Sequence, residues 1–171
     1  VSGMFITTQQ YSNITLPRIG QGINKTLSHK KNALNEFRRL RFTKKNPSSS
    51  DIIEYVKEVS VKFASIIEMT INSNGPVFIF SNWLTYGVEP LAIILETLGF
   101  TNFQDKNNEP GNKYFLWNSS TKNQKNGDEL IKRARNTFNS QDNQDGSLLK
   151  IILGTRSVME GVSFKNVKQV H

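Results

Sequence analysis

Val77-Phe78-Ile79-Phe80-Ser81-Asn82-Trp83 is the stretch on which the fold turns. Its first four residues are continuously apolar, as a strand buried on both faces of a parallel sheet requires. Its last three place a hydroxyl, an amide and an indole where such a strand ends. Upstream, Ile52, Val56, Val59, Phe63, Ile66 and Thr70 recur at steps of three or four, which predicts one face of a long helix. Asp51 and Glu54 mark its start with a capping box, and Asn74-Gly75-Pro76 its end. Downstream, a helix is expected from about Val88 to Leu98, with Leu91, Ile94, Leu95 and Leu98 inward and Gly99 closing it. A polar insertion, Gln104 to Asn112, then precedes a strand at Lys113–Trp117. A charged helix from Gly127 to Asn139 turns Ile131, Ala134 and Phe138 inward, and a polar turn, Gln141 to Gly146, leads into a strand over Leu148–Leu153. Strand, helix, strand, helix, strand is the pattern of an α/β fold with a parallel sheet.

Composition narrows the function classes. A chain of 171 residues fits one domain, or one domain with an arm. With 36% hydrophobic and 21% charged residues it reads as globular. The apolar runs are only a few residues long, against the ~18 that would suggest a membrane span, so no membrane partner is expected. There are no cysteines and only two histidines, His29 and His171, which excludes thiol chemistry and disfavours a histidine-built metal site. The sequence starts at Val1 and stops at His171 within an expected strand, Asn166–His171, so it is expected to be a fragment of a longer polypeptide.

The net charge of +8 is concentrated in one segment. Lys25, Lys30, Lys31, Arg38, Arg39, Arg41, Lys44 and Lys45 stand against Glu36 alone. Such density favours a polyanion through counterion release. The alternative is a solvated helix face, because Ala33, Leu34, Phe37 and Leu40 give the same segment an apolar stripe. Asn46-Pro47-Ser48-Ser49-Ser50 then reads as a linker. This divides the chain into an entry strand and basic arm over 1–46 and an α/β domain over 47–171.

Open α/β sheets bind ligands outside the carboxyl ends of their strands. Two strands end there in polar groups, Ser81-Asn82-Trp83 and Gly154-Thr155-Arg156-Ser157. Trp83 either stacks on a base or packs on the helix after it. Arg156 either clamps a phosphate or forms a surface salt bridge. Beyond Arg156, Gly161 suits a tight turn near a ligand or the end of a helix, and Glu160 or Ser163 could bond sugar hydroxyls. No Gly-x-x-x-x-Gly-Lys-[Ser/Thr] loop, dinucleotide fingerprint or Ser/His/Asp set occurs, so no catalytic residue and no metal ligand is assigned.

These residues carry a family resemblance. Val77–Trp83, the helix entry Tyr86-Gly87-Val88-Glu89-Pro90 and Ile151–His171 resemble the second RecA-like domain of a superfamily-2 helicase. More narrowly they resemble the NTPase/helicase group of large cytoplasmic DNA viruses, which includes the poxvirus nucleoside triphosphate phosphohydrolase I, the early transcription factor small subunit and giant-virus counterparts. Phe80-Ser81-Asn82 falls at motif IV, Trp117-Asn118-Ser119-Ser120 at the segment after it, and Gly154 to Phe164 at motif V. Ser2-Gly3-Met4-Phe5 and Asn13 to Pro17 are similar to the entry of that domain.

The resemblance implies a three-layer RecA-like domain with a central parallel sheet flanked by helices. It implies nucleic-acid contacts at Ser81, Asn82, Thr155 and Arg156, to which Lys30, Lys31, Arg38, Arg39 and Arg41 add electrostatic grip. Glu160, Gly161 and Ser163 inherit a place near the nucleotide; Ser163 stands where many members carry an aspartate. The parent protein is then an ATP-dependent helicase or translocase acting in viral transcription, with ATP and Mg²⁺ as cofactors. The fragment is expected to bind neither and to be inactive alone, because it lacks the phosphate loop and the arginine motif lies beyond His171. Expected partners are DNA or RNA, the first RecA-like domain of the same chain, and viral RNA polymerase; the expected location is the virion and host cytoplasm. The alternative is a non-catalytic nucleic-acid-binding or scaffold module of the viral transcription machinery.

Overall fold

The computed structural model describes residues 47–103, 110–156, 163–165 and 167–171. The basic arm therefore lies outside the described residues. Five parallel strands form one sheet: β1 (Val77–Phe80), β2 (Thr101–Asn102), β3 (Lys113–Trp117), β4 (Ile151–Gly154) and β5 (Gln169–Val170), in the order β2-β3-β4-β1-β5. The helices are α1 (Ser49–Val59), α2 (Val61–Ile71), α3 (Glu89–Thr97), α4 (Ser119–Lys122) and α5 (Gly127–Phe138). None of the described helices is long and apolar enough to cross a membrane.

Alternation along the strands sends successive side chains to opposite faces. Val77 and Ile79 of β1, Tyr114 of β3, and Ile151 and Leu153 of β4 join α1, α2 and α3 in one core. Phe115 and Trp117 of β3 and Ile152 of β4 join Phe103 with Ala134 and Phe138 of α5 in a second, against which Phe78 packs. The molecule is thus a three-layer α/β domain of RecA-like type, with helices on both faces of a parallel sheet.

The long helix expected before β1 is two helices. Ser60 is extended (φ −164°, ψ 101°) and ends α1 through its N–H to the Val56 carbonyl at 2.7 Å. Its hydroxyl then caps α2 by accepting from Phe63 N–H at 3.0 Å. The apolar period survives because the break costs no change of phase: Ile52, Val56, Phe63 and Thr70 are all buried. Lys57 spans the bend, 3.5 Å from Glu54 and 3.4 Å from Glu68, and Glu68 followed by Glu54 raises its pKa. The capping box at the start of α1 pairs Ser48 with Asp51 rather than using Glu54.

The last strand before the site begins later than expected, at Ile151 rather than Leu148. The reason is Asn143, a fully buried side chain. Its Oδ1 accepts from the N–H groups of Leu148 and Leu149, both at 2.9 Å, so these residues are bound to a side chain and not to a neighbouring strand. Its Nδ2 donates to the Leu149 carbonyl at 2.9 Å and to Phe138 at 3.4 Å. Asn143→Ala is expected to cost about 3 kcal/mol, because several buried backbone groups lose their partner at once. Urea unfolding measures this; a loss below about 1 kcal/mol would mean that water replaces the amide.

The helix after β1 also starts with a feature that the sequence pattern does not announce. A wide turn over Leu84–Val88 precedes α3, and Gly99 leaves the helix at φ +89°. At the sheet's other margin β5 is short, but the ladder continues through His171 N–H to the Phe78 carbonyl and Phe80 N–H to the His171 carbonyl.

Candidate nucleic-acid interface

Register sets the site. Phe80 of β1 and Trp117 of β3 both pair with Gly154 of β4, so three adjacent strands end in one row. Ser81 N–H donates to the Gly154 carbonyl at 3.0 Å, and Thr155 N–H donates to the Trp117 carbonyl at 3.2 Å. These two bonds carry the row one residue further and fix where the polar side chains begin.

At the end of β1, Ser81 is half-buried and its Oγ accepts from Trp83 N–H at 3.1 Å. The turn that follows folds back onto it at Gly87. A Cβ there would lie 2.2 Å from Ser81 Oγ and 2.8 Å from Ser81 Cβ, so only glycine allows this approach. Trp83 is half-buried against the first core, which selects packing among its two readings. Asn82 is exposed and accepts through Oδ1 from Arg156 Nε at 3.3 Å. Among the described residues Arg156 has no carboxylate partner.

Four expected contact residues therefore meet at one edge: Ser81 and Asn82 from β1, Thr155 and Arg156 from β4. The edge is rich in donors, with two hydroxyls, an amide and an exposed guanidinium. Such groups match phosphate oxygens, and the planar guanidinium can bind them in bidentate fashion. Beside it Asn118, buried at the end of β3, caps α4 by accepting from Thr121 N–H at 2.8 Å.

Lys30, Lys31, Arg38, Arg39, Arg41, Glu160 and Gly161 lie outside the described residues. Ser163 is exposed and held from α5: its carbonyl accepts from Asn139 Nδ2 at 3.1 Å. Asn139 Oδ1 also accepts from Lys165 N–H, at 2.6 Å. Between the two bonds Phe164 sits against Phe78 at 4.7 Å, Phe138 at 5.4 Å and Trp117 at 6.4 Å. Sequence reasoning misses Asn139, because an asparagine one residue past a helix carries no signal of a partner 24 or 26 residues away.

Three relatives bear on identity. A protein of Acanthamoeba polyphaga mimivirus named as a putative ATP-dependent RNA helicase is 35% identical over 121 residues, covering 70% of this chain and 20% of the relative. The putative helicase of Frog virus 3 (isolate Goorha) is 30% identical over 112 residues, covering 65% and 11%. That of Invertebrate iridescent virus 3 is 28% identical over 119 residues, covering 66% and 12%. No family model matches the chain. The chain spans about a fifth or less of the length of these curated relatives. With its three-layer parallel fold, the chain is similar to the helicases of large DNA viruses and consistent with a C-terminal, RecA-like domain of that group.

Proposed function

We propose that this chain is the C-terminal RecA-like domain of a viral nucleic-acid-dependent ATPase, a helicase or translocase used in viral transcription. The observation that carries the reading is the joining of Ser81-Asn82 and Thr155-Arg156 at one sheet edge, with Arg156 Nε on Asn82 Oδ1. There the hydroxyls and the guanidinium hold backbone phosphates, which position a strand without reading its bases. In this reading Ser163, Glu160 and Gly161 serve the nucleotide, and the first RecA-like domain completes that site.

ATP and Mg²⁺ belong to the full-length protein in this proposal. The phosphate loop and the metal ligands are assigned to the first RecA-like domain, because this sequence has no phosphate loop and no group of three or more acidic or histidine side chains is placed to hold a metal among the described residues. What the chain contributes is grip: it orients the strand, so that domain closure becomes movement along it.

The test is Thr155→Val in the full-length protein. Nucleic-acid-stimulated hydrolysis should fall about tenfold, the worth of one charge-assisted hydrogen bond, while basal hydrolysis holds. Equal losses in both would remove Thr155 from the track.

A further inference from the structure

The outer face of α5 carries a groove of 680 Å³ that the sheet edge does not use. Lys125, Lys132 and Arg133 line it with Asn126, Asn136 and Thr137, and Glu129 is its single carboxylate. Among the described residues none of the three cations is ion-paired, with Glu129 or with any other carboxylate. Arg133 is nonetheless held in place, its guanidinium 5.5 Å from the centroid of the Phe103 ring. Stacking of this kind orients the planar donor fork before any ligand arrives.

We propose that this groove is a second binding site for the phosphate backbone of single-stranded nucleic acid. The proposal rests on the reading of the sheet edge as a nucleic-acid interface and extends it. Three features select a polyanion. The cations outnumber the carboxylate three to one, they are unneutralised, and the amides and hydroxyl between them bond phosphate or sugar oxygens. The groove is also reachable from the first site. Trp117 ends in the same row as Phe80 and Gly154, and the chain passes from it through α4 to Lys125 and Asn126. Asn126 is left-handed (φ 70°), and a Cβ at Gly127 would lie 2.3 Å from the Thr121 carbonyl oxygen and 2.6 Å from that of Lys122, so α5 starts from a tight corner against α4. A strand leaving Arg156 then turns down α5 from Lys125 to Lys132.

The test is Lys125→Glu with Lys132→Glu in the full chain, binding labelled single-stranded DNA and RNA oligonucleotides across a salt series. A control pair, Lys57→Glu with Lys62→Glu, makes the same charge change on the helices of the opposite face. The α5 pair should lower the slope of log affinity against log salt by about 1.4, two contacts at ~0.7 each. The control pair should leave the slope within about 0.3 of the unchanged protein. Equal slopes for both pairs would overturn the groove while leaving the sheet edge standing. No binding by the unsubstituted chain would overturn both. Thermal melts of each pair confirm that the fold is retained, and Lys125→Gln with Lys132→Gln repeats the test without new repulsion.

Discussion

Phe138→Ala is expected to destabilise the domain by about 4 kcal/mol, within the range for emptying a buried phenyl site. Phe138 is 0% exposed and sits at the end of α5 in the second core. Two costs add. The ring's own transfer from water is lost, and its neighbours, pinned to a sheet on one side, can close the void only in part. The effect also reaches the candidate site. Phe138 is one of three rings around Phe164, and Phe164 lies between the two backbone groups that Asn139 binds. Loss of the ring therefore loosens the segment carrying Ser163 as well as the core. Chemical denaturation reads the first effect. Hydrogen exchange at Lys165 N–H, which donates to Asn139, reads the second. Phe138→Leu should restore well over half of the stability because it refills most of the volume. A cost below about 1.5 kcal/mol for alanine would mean that α5 is not held by this core.

The three central strands are legible because they are short, apolar and bounded by turn residues. Val77–Phe80 and Lys113–Trp117 stand where the sequence places them. The charged helix is legible for a different reason: its polar face and its Ala134–Phe138 stripe follow a single period. The Ser60 break is not, since two helices that keep one phase look like one helix to any periodicity argument. A two-residue strand such as β2 carries no pattern at all. Asn143 shows the commonest kind of gap. Its worth lies in four bonds to backbone groups at Phe138, Leu148 and Leu149, and backbone partners leave no trace in residue type.

The candidate site divides in the same way. That Ser81-Asn82 and Thr155-Arg156 end neighbouring strands follows from the strand pattern and from the rule for ligand crevices in parallel sheets. That Asn82 and Arg156 bond to each other does not, because it depends on register between strands 74 residues apart. Gly87 is intermediate. A glycine before a helix entry suggests a turn, but the reason for it, that a Cβ there would lie 2.2 Å from Ser81 Oγ, exists only once the chain has folded back.

Neutralising the basic arm should have the largest effect on nucleic-acid binding. With Lys30, Lys31, Arg38, Arg39 and Arg41 all changed to glutamine, five of the eight cations between Lys25 and Lys45 are lost. If each meets one phosphate of a single strand, the salt slope falls by about 3.5, which is a loss of affinity of about a hundredfold where salt is fourfold below the point at which the two proteins bind equally. The loss should be the same for every sequence tested, because the counterion term does not read bases. This separates the arm from the sheet edge. Thr155→Val removes a neutral hydroxyl and should leave the slope almost untouched while weakening the coupling to hydrolysis; the arm variant should do the reverse. An unchanged slope would assign the arm to the other reading of its sequence, a solvated helix face whose Ala33, Leu34, Phe37 and Leu40 bury against protein. In that case the grip would rest on Arg156 and the donors beside it, and on the cations of α5.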